Sequence, residues 1–317
     1  MSIKIAQAFV LGAGLGTRLR PLTDDLPKPL VPIFNKPLIT FALDHLIAAG
    51  VGSFVVNTHH LPERFRDSLG QGSYRGNPLT LLHEERLLET GGGIKNAERF
   101  LGAGQTFFVY SGDILTDLPL TALIEEHFRK ENDVTLALRS TAVARNVAFQ
   151  DGQVVDLGQR RGRAGNYDYA NISLWNRAAF QRFALGQKIS FVPVLADWIG
   201  QGGRIGGVVI EEGQWFNLTS PNDYLRVHQT IAELPWRPDY LAENDWPERI
   251  SPQAQLAANA QVNGWSAVGS QVRIGSDAVV EDSIIWRGAQ IASCTHLKRC
   301  IVRSHRRAEG ALADAII

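Results

Sequence analysis

Sulfur is scarce in this chain, which holds two cysteines and one methionine in 317 residues. Cys294 and Cys300 are spaced neither as a redox pair nor as a zinc knuckle, so both are read as reduced thiols. Excess charge of either sign is missing as well. The 32 basic and 32 acidic side chains cancel, leaving no overall field to gather nucleic acid or an anionic membrane surface. No run of about 18 apolar residues occurs. The opening Met-Ser-Ile-Lys-Ile-Ala lacks the apolar stretch and cleavage site of a secretory leader. These absences lead to the expectation of a cytoplasmic protein with no nucleic-acid and no membrane partner.

Glycine, by contrast, is placed with purpose. Ala8, Phe9, Val10 and Leu11 form a short apolar run suited to a buried parallel strand. Directly after it comes Gly12-Ala13-Gly14-Leu15-Gly16-Thr17-Arg18, and then Pro27-Lys28-Pro29-Leu30. Gly12, Gly14 and Gly16 let the backbone turn sharply and present N–H groups to phosphate oxygens. Arg18 and Lys28 add fixed positive charge, so the stretch suits a nucleoside triphosphate. It is not a Walker loop, since no Gly-Lys-Ser/Thr follows, and it lacks the Gly-x-Gly-x-x-Gly spacing of dinucleotide sites.

A chain of this length suggests two domains. Apolar runs alternate with amphipathic stretches to about Leu225, the rhythm of an α/β sheet. Strands are predicted at Gln7–Leu11, Ser53–Asn57, Leu79–His83, Thr106–Ser111, Val134–Leu138 and Ile205–Ile210. Helices are predicted at Leu38–Ala49, Pro62–Leu69, Gly93–Phe100, Leu118–Lys130 and Phe191–Gly200. Ligands of such folds gather at the carboxyl ends of the strands, where the glycine loop, Asn57-Thr58-His59-His60 and Ser111-Gly112-Asp113 all fall.

A proline-bearing stretch over 234–252 reads as a linker between residues 1–233 and 253–317. Beyond it, Val262, Val268, Ile274, Val280 and Trp286 recur every six residues, the mark of a solenoid. The repeat spans about three coils, near the minimum for stability, which raises the expectation of a homo-oligomer formed through it.

The glycine loop together with Pro-Lys-Pro-Leu resembles the signature of the sugar nucleotidyltransferases, the NDP-sugar pyrophosphorylases, over roughly residues 5–225. The tail is similar to the hexapeptide repeats of left-handed parallel β-helices that many of those enzymes carry. The resemblance implies a Rossmann-like mixed sheet followed by a short β-helix. It also implies a reaction that makes an NDP-sugar and pyrophosphate from a nucleoside triphosphate and a sugar 1-phosphate, with Mg²⁺.

By the same resemblance, Leu11, Gly12, Ala13, Gly14, Gly16 and Thr17 hold the triphosphate, while Arg18 and Lys28 stabilise the departing pyrophosphate. Asp113 binds the metal. Asn217 stands where the family has a second aspartate and Thr219 where it has glycine, which leaves weakened turnover or a non-catalytic nucleotide-sugar-binding subunit as alternatives. Glu89, Thr90 and Gly91, in Leu88-Glu-Thr-Gly-Gly-Gly, fall around the nucleobase. Glu84 takes the slot that reads the base edge. A carboxylate only accepts hydrogen bonds, so it suits uracil N3–H or the paired donors of guanine. Glu84 could equally be a surface charge after a strand.

Gly112, Asn171 and Lys188 are the candidate sugar-binding residues. Asn171 either hydrogen-bonds a sugar hydroxyl or tolerates a turn conformation that glycine would adopt. UTP with N-acetylmuramate 1-phosphate is the first expectation for the substrates, and mannose- or heptose-1-phosphate guanylyl transfer is the second.

Overall fold

The computed structural model describes residues 4–101, 105–141, 143–234 and 236–317. Residues 1–3, part of the leader reading, and Pro235 of the linker reading lie outside the described residues. The α/β rhythm becomes a mixed ten-stranded sheet. Its strands are β1 (Gln7–Leu11), β2 (Ser53–Thr58), β3 (Gly72–Tyr74), β4 (Asn77–His83), β5 (Thr106–Ser111), β6 (Val134–Arg139), β7 (Val147–Gln150), β8 (Gln153–Leu157), β9 (Asp168–Asn176) and β10 (Ile205–Val209). Across the sheet they run β7-β8-β10-β6-β9-β5-β1-β2-β4-β3.

β1 lies inside the sheet, parallel to β2 and β5, with Leu11 opposite Asn57 and Ser111. Ala8, Phe9 and Val10 are fully buried, as expected of a parallel strand covered on both faces. The helices are α1 (Leu38–Ala48), α2 (Pro62–Leu69), α3 (Glu89–Ala97), α4 (Leu120–Arg129) and α5 (Phe191–Gly200). One apolar cluster joins Phe9, Ile94, Val109, Trp175, Phe191 and Trp198, and the rings of Phe107 and Phe180 stack at 4.9 Å.

β9 is the strand that local patterning hides. It runs antiparallel to both β5 and β6 with an irregularity between Tyr169 and Ser173. Asn171 sits there with φ 64, in the left-handed region. That irregularity makes Tyr169-Ala-Asn-Ile read as a turn in the sequence.

By packing, the chain divides into two compact bodies, Met1–Leu15 with Ile39–Trp215 and Gly16–Leu38 with Phe216–Ile317. Residues 16–38 and 216–233, which the sequence boundary at 233 assigns to the first domain, thus pack with the tail. Helix α6 (Pro221–Glu233) supplies the reason. The Tyr224 hydroxyl donates to the Pro32 carbonyl, and the Phe34 N–H donates to His228 Nε2 at 2.9 Å. Ser220 caps α6 by accepting from the Asp223 N–H, with proline at the first helical position.

The tail consists of three sheets of short parallel strands, the arrangement of a left-handed parallel β-helix. Its coil is not constant. Gln255 pairs with Arg273, and Arg273 with Gln290, so the coil shortens from 18 residues to 17. Gly264-Trp265-Ser266 links two strands in one coil, whereas only Asp282-Ser283 does so in the next. As a result Ile285, not Trp286, follows Val280 into the solenoid core. Trp286 is buried elsewhere, with its indole N–H donating to the Tyr224 hydroxyl at 3.0 Å. Cys300 is buried and Cys294 exposed, both as free thiols. Among the described residues no helix is long and apolar enough to cross a membrane.

Two buried histidines set an acid limit. Burial pushes His45 down to about 4, although a backbone hydrogen bond at Leu118 acts the other way. Burial likewise pushes His228 down to about 4, against the Tyr224 carbonyl. Both are neutral when folded, while the unfolded chain takes up protons near the ordinary value of about 6.5. Their contribution is therefore complete above pH ~6.5 and is lost as pH falls toward 4. Thermal unfolding at pH 5 is expected about 5 °C or more below that at pH 7.5, and the His45→Gln/His228→Gln pair should flatten that difference.

Candidate active site

The carboxyl edge of the parallel strands in the first body is organised by a chain of buried hydrogen bonds. Gly12, the residue after β1, donates its N–H to Asn57 Oδ1 at 2.8 Å. Asn57 Nδ2 donates to Glu84 Oε1 at 2.7 Å. Glu84 Oε2 accepts the N–H of Leu88 at 3.0 Å, immediately ahead of α3. The backbone of Glu84 extends the β2–β4 pairing, its N–H donating to the Thr58 carbonyl and its carbonyl meeting His59 Nδ1 at 2.7 Å.

Glu84 is only 2% exposed. The carboxylate expected to face a base edge is instead engaged inside the protein, tying the turn before α3 to the end of β2 and, through Asn57, to the turn after β1. Asn57, which the sequence reading left without a role, is the centre of the arrangement. Its position at the end of β2 was the available signal.

Two glycines make room for this pair. A Cβ on Gly12 would lie 2.6 Å from the Asn57 carbonyl oxygen. One on Gly93 would lie 2.9 Å from Asn57 Nδ2 and 3.0 Å from Glu84 Oε1. Thr90 and Gly91 are held from the other side, since Thr90 Oγ1 accepts the Phe191 N–H and the Gly91 N–H donates to the Ile189 carbonyl. Glu89 and Lys188 approach each other at 3.8 Å on the exposed rim. Gly112 docks on the strand beside the glycine turn by donating to the Leu11 carbonyl at 2.9 Å, which places Asp113 at the same edge. Ala13 is buried and Gly14 exposed. Asn171, with its left-handed backbone, has the conformation that the glycine reading requires.

The second body carries the cationic part of the signature. Gly16 has φ 61, and its carbonyl accepts the Thr23 hydroxyl at 3.0 Å. Thr17 and Arg18 follow in an exposed turn of 3₁₀ helix. Lys28 is 9% exposed, and its Nζ donates to Asn217 Oδ1 at 3.3 Å. Thr219 donates its hydroxyl to Asp223. Burial alone would raise the Asp223 carboxyl, but hydrogen bonds from Thr219 and Ser220 and the Arg226 guanidinium hold it below the usual range. Thr219 therefore serves the start of α6. Among the described residues no group of three or more His, Cys, Asp or Glu side chains is placed to hold a metal.

If Gly93 exists to accommodate Asn57 and Glu84, Gly93→Ala should lower stability by about 1–3 kcal/mol in urea unfolding. Gly14→Ala, whose Cβ would meet nothing within 4 Å, should change it by less than about 0.5 kcal/mol.

Residues 7–154 match the family described as Nucleotidyl transferase. The chain is 28% identical over 305 residues to the mannose-1-phosphate guanylyltransferase of Mycobacterium tuberculosis, covering 93% of this chain and 84% of that protein. It is 44% identical over 120 residues to the N-acetylmuramate alpha-1-phosphate uridylyltransferase of Neisseria meningitidis serogroup B, covering 38% of this chain and 52% of that protein. The inositol-1-phosphate CTP transferase from T. maritima shares the fold, with a TM-score of 0.59 at 21% identity over 70% of this chain and 93% of that chain. The glycine turn at the end of β1 falls inside the stretch that matches the Nucleotidyl transferase family, and the likeness to a sugar-phosphate enzyme runs along nearly the whole chain.

Proposed function

We propose that the enzyme transfers a guanylyl group from GTP to a hexose 1-phosphate of the mannose type and releases pyrophosphate. The activity rests above all on one observation, the glycine turn locked by the buried Asn57–Glu84 pair at the carboxyl end of β1. The choice of substrate is supported by the reach of the guanylyltransferase likeness, which covers the tail as well as the sheet. Glu84 gives no independent vote, because both of its oxygens are engaged within the protein. Uridylyl transfer to N-acetylmuramate 1-phosphate is the second reading. It is favoured by the stretch at 44% identity and by the Leu88-Glu-Thr-Gly-Gly-Gly sequence.

An ionised oxygen of the sugar phosphate attacks the α-phosphorus in line. The new P–O bond forms as the bond to the β-phosphate oxygen breaks, and pyrophosphate leaves with the electron pair. The nucleophile is already charged, so neither a covalent intermediate nor a general base is required. The Gly12 N–H is committed to Asn57, which leaves the N–H groups after it to take phosphate oxygens. Arg18 and Lys28 neutralise the leaving pyrophosphate.

The donors assigned to a cation, the Asp113 carboxylate and the Asn217 amide oxygen, are hard oxygen ligands suited to Mg²⁺. Bound Mg²⁺ would neutralise phosphate charge as it develops. Asn217 Oδ1 also accepts from Lys28, so the amide orients that ammonium without adding negative charge beside it.

The test is pyrophosphate release with Mg²⁺, crossing GTP, UTP, dTTP, ATP and CTP against mannose, heptose, glucose, N-acetylglucosamine and N-acetylmuramate 1-phosphates. GTP with mannose 1-phosphate is expected to give the highest kcat/KM, and Asp113→Ala to lower it about 100-fold or more. A preference for UTP with N-acetylmuramate 1-phosphate would establish the second reading. Nucleotide-sugar binding without release from any pair would identify a non-catalytic subunit.

A further inference from the structure

Residues 16–38 hold Thr17, Arg18 and Lys28, yet the contacts that fix this excursion come from the far end of the chain. Asn35 Nδ2 donates to the carbonyls of Glu248 and Val268. Pro32 and Phe34 are held by Tyr224 and His228 of α6, and Tyr224 in turn by Trp286. The segment between the two cations is met by Arg303, in the loop after the solenoid strand Ile301–Val302. Its Nη1 donates to the Pro21 carbonyl at 3.2 Å and to Asp25 Oδ2 at 2.7 Å, while its Nε donates to the Ile317 carbonyl at 3.2 Å. Arg306 approaches the same Asp25 oxygen at 3.7 Å.

The Arg303 side chain is 14% exposed and that of Asp25 36%. This differs from a mobile surface ion pair, because one planar guanidinium fork meets a carboxylate, a main-chain carbonyl and the neighbouring coil at once. Asp24 is engaged separately, with Arg20 at 3.2 Å.

We propose that Arg303 is a positioning residue for nucleotidyl transfer. By clamping Pro21 and Asp25 it fixes the segment between Arg18 and Lys28, so the solenoid is a working part of the triphosphate site and not only a stacking surface. The inference rests on the roles proposed above for Arg18 and Lys28. Its prediction is specific to one substrate. Loosening the segment displaces Arg18 and Lys28, the cations assigned to the triphosphate, whereas the sugar-binding candidates Gly112, Asn171 and Lys188 belong to the other body.

Steady-state kinetics on the full chain test it, using the triphosphate and sugar phosphate that give turnover. Arg303→Ala is expected to raise KM for the triphosphate about tenfold or more and to leave KM for the sugar phosphate within about twofold. Arg303→Lys, which keeps charge but loses the fork, should recover part of the loss. Asp25→Asn breaks the pair from the other side and should repeat the effect. The double variant Arg303→Ala/Asp25→Asn should be no worse than either single change, since both remove one interaction. Arg273→Ala, on an exposed solenoid strand, is the control expected to match the parent.

Lys28→Ala is measured in parallel, so that the two ideas can fail separately. Near-normal activity in Lys28→Ala would sink the assigned roles. A crippled Lys28→Ala beside Arg303→Ala and Asp25→Asn with parental triphosphate KM would overturn the positioning role alone. Should Arg303→Ala not fold, Asp25→Asn and Arg303→Lys decide the matter by the same KM comparison.

Discussion

A single buried carboxylate underlies the geometry of the glycine turn. Glu84 is almost entirely removed from water, and a polar group in that position is tolerated only when hydrogen bonds replace its hydration. It takes them from Asn57 and from the Leu88 N–H, and Asn57 passes the constraint on to Gly12. The turns after β1 and before α3 are thereby held in register with the end of β2 by two side chains. A phosphate-binding turn built this way is fixed before its ligand arrives, so little reorganisation remains to be done on binding.

The cationic half of the signature is organised on a different principle. Its partners lie far along the chain: Pro32 meets Tyr224, and Asp25 meets Arg303. Such contacts form only after long stretches of chain have been brought together, a loop-closure cost that grows slowly with separation. They fold residues 16–38 into a body with the tail although sequence order places them beside β1. The break between the two bodies falls inside the motif itself, between Leu15 and Gly16.

That division explains what could and could not be read from the sequence. β1, β5, α2 and α5 have the bounds predicted for them, because apolar runs closed by glycine or by caps are local signals. β9 was missed because its bulge at Asn171 mimics a turn. The inward direction of Glu84 was equally hidden. Residue type names a hydrogen-bond acceptor, but only the continuation of the β2–β4 pairing through Glu84 decides which way the acceptor faces. Arg303 and His228 carried no local signal, and the six-residue repeat set Trp286 in the wrong register, since what each of them does is set by a residue elsewhere in the chain.

The shortened coil has a consequence of its own. A solenoid of constant period is a screw that looks the same after every turn, so any coil could dock on a given surface as well as its neighbour. Dropping one residue between Glu281 and Ile284 breaks that translational symmetry and expels Trp286 from the sequence of core positions onto Tyr224. The change of spacing thus gives the repeat an address: the first coil is distinguishable from the shorter ones after it, and Trp286, which meets α6, lies where the spacing changes.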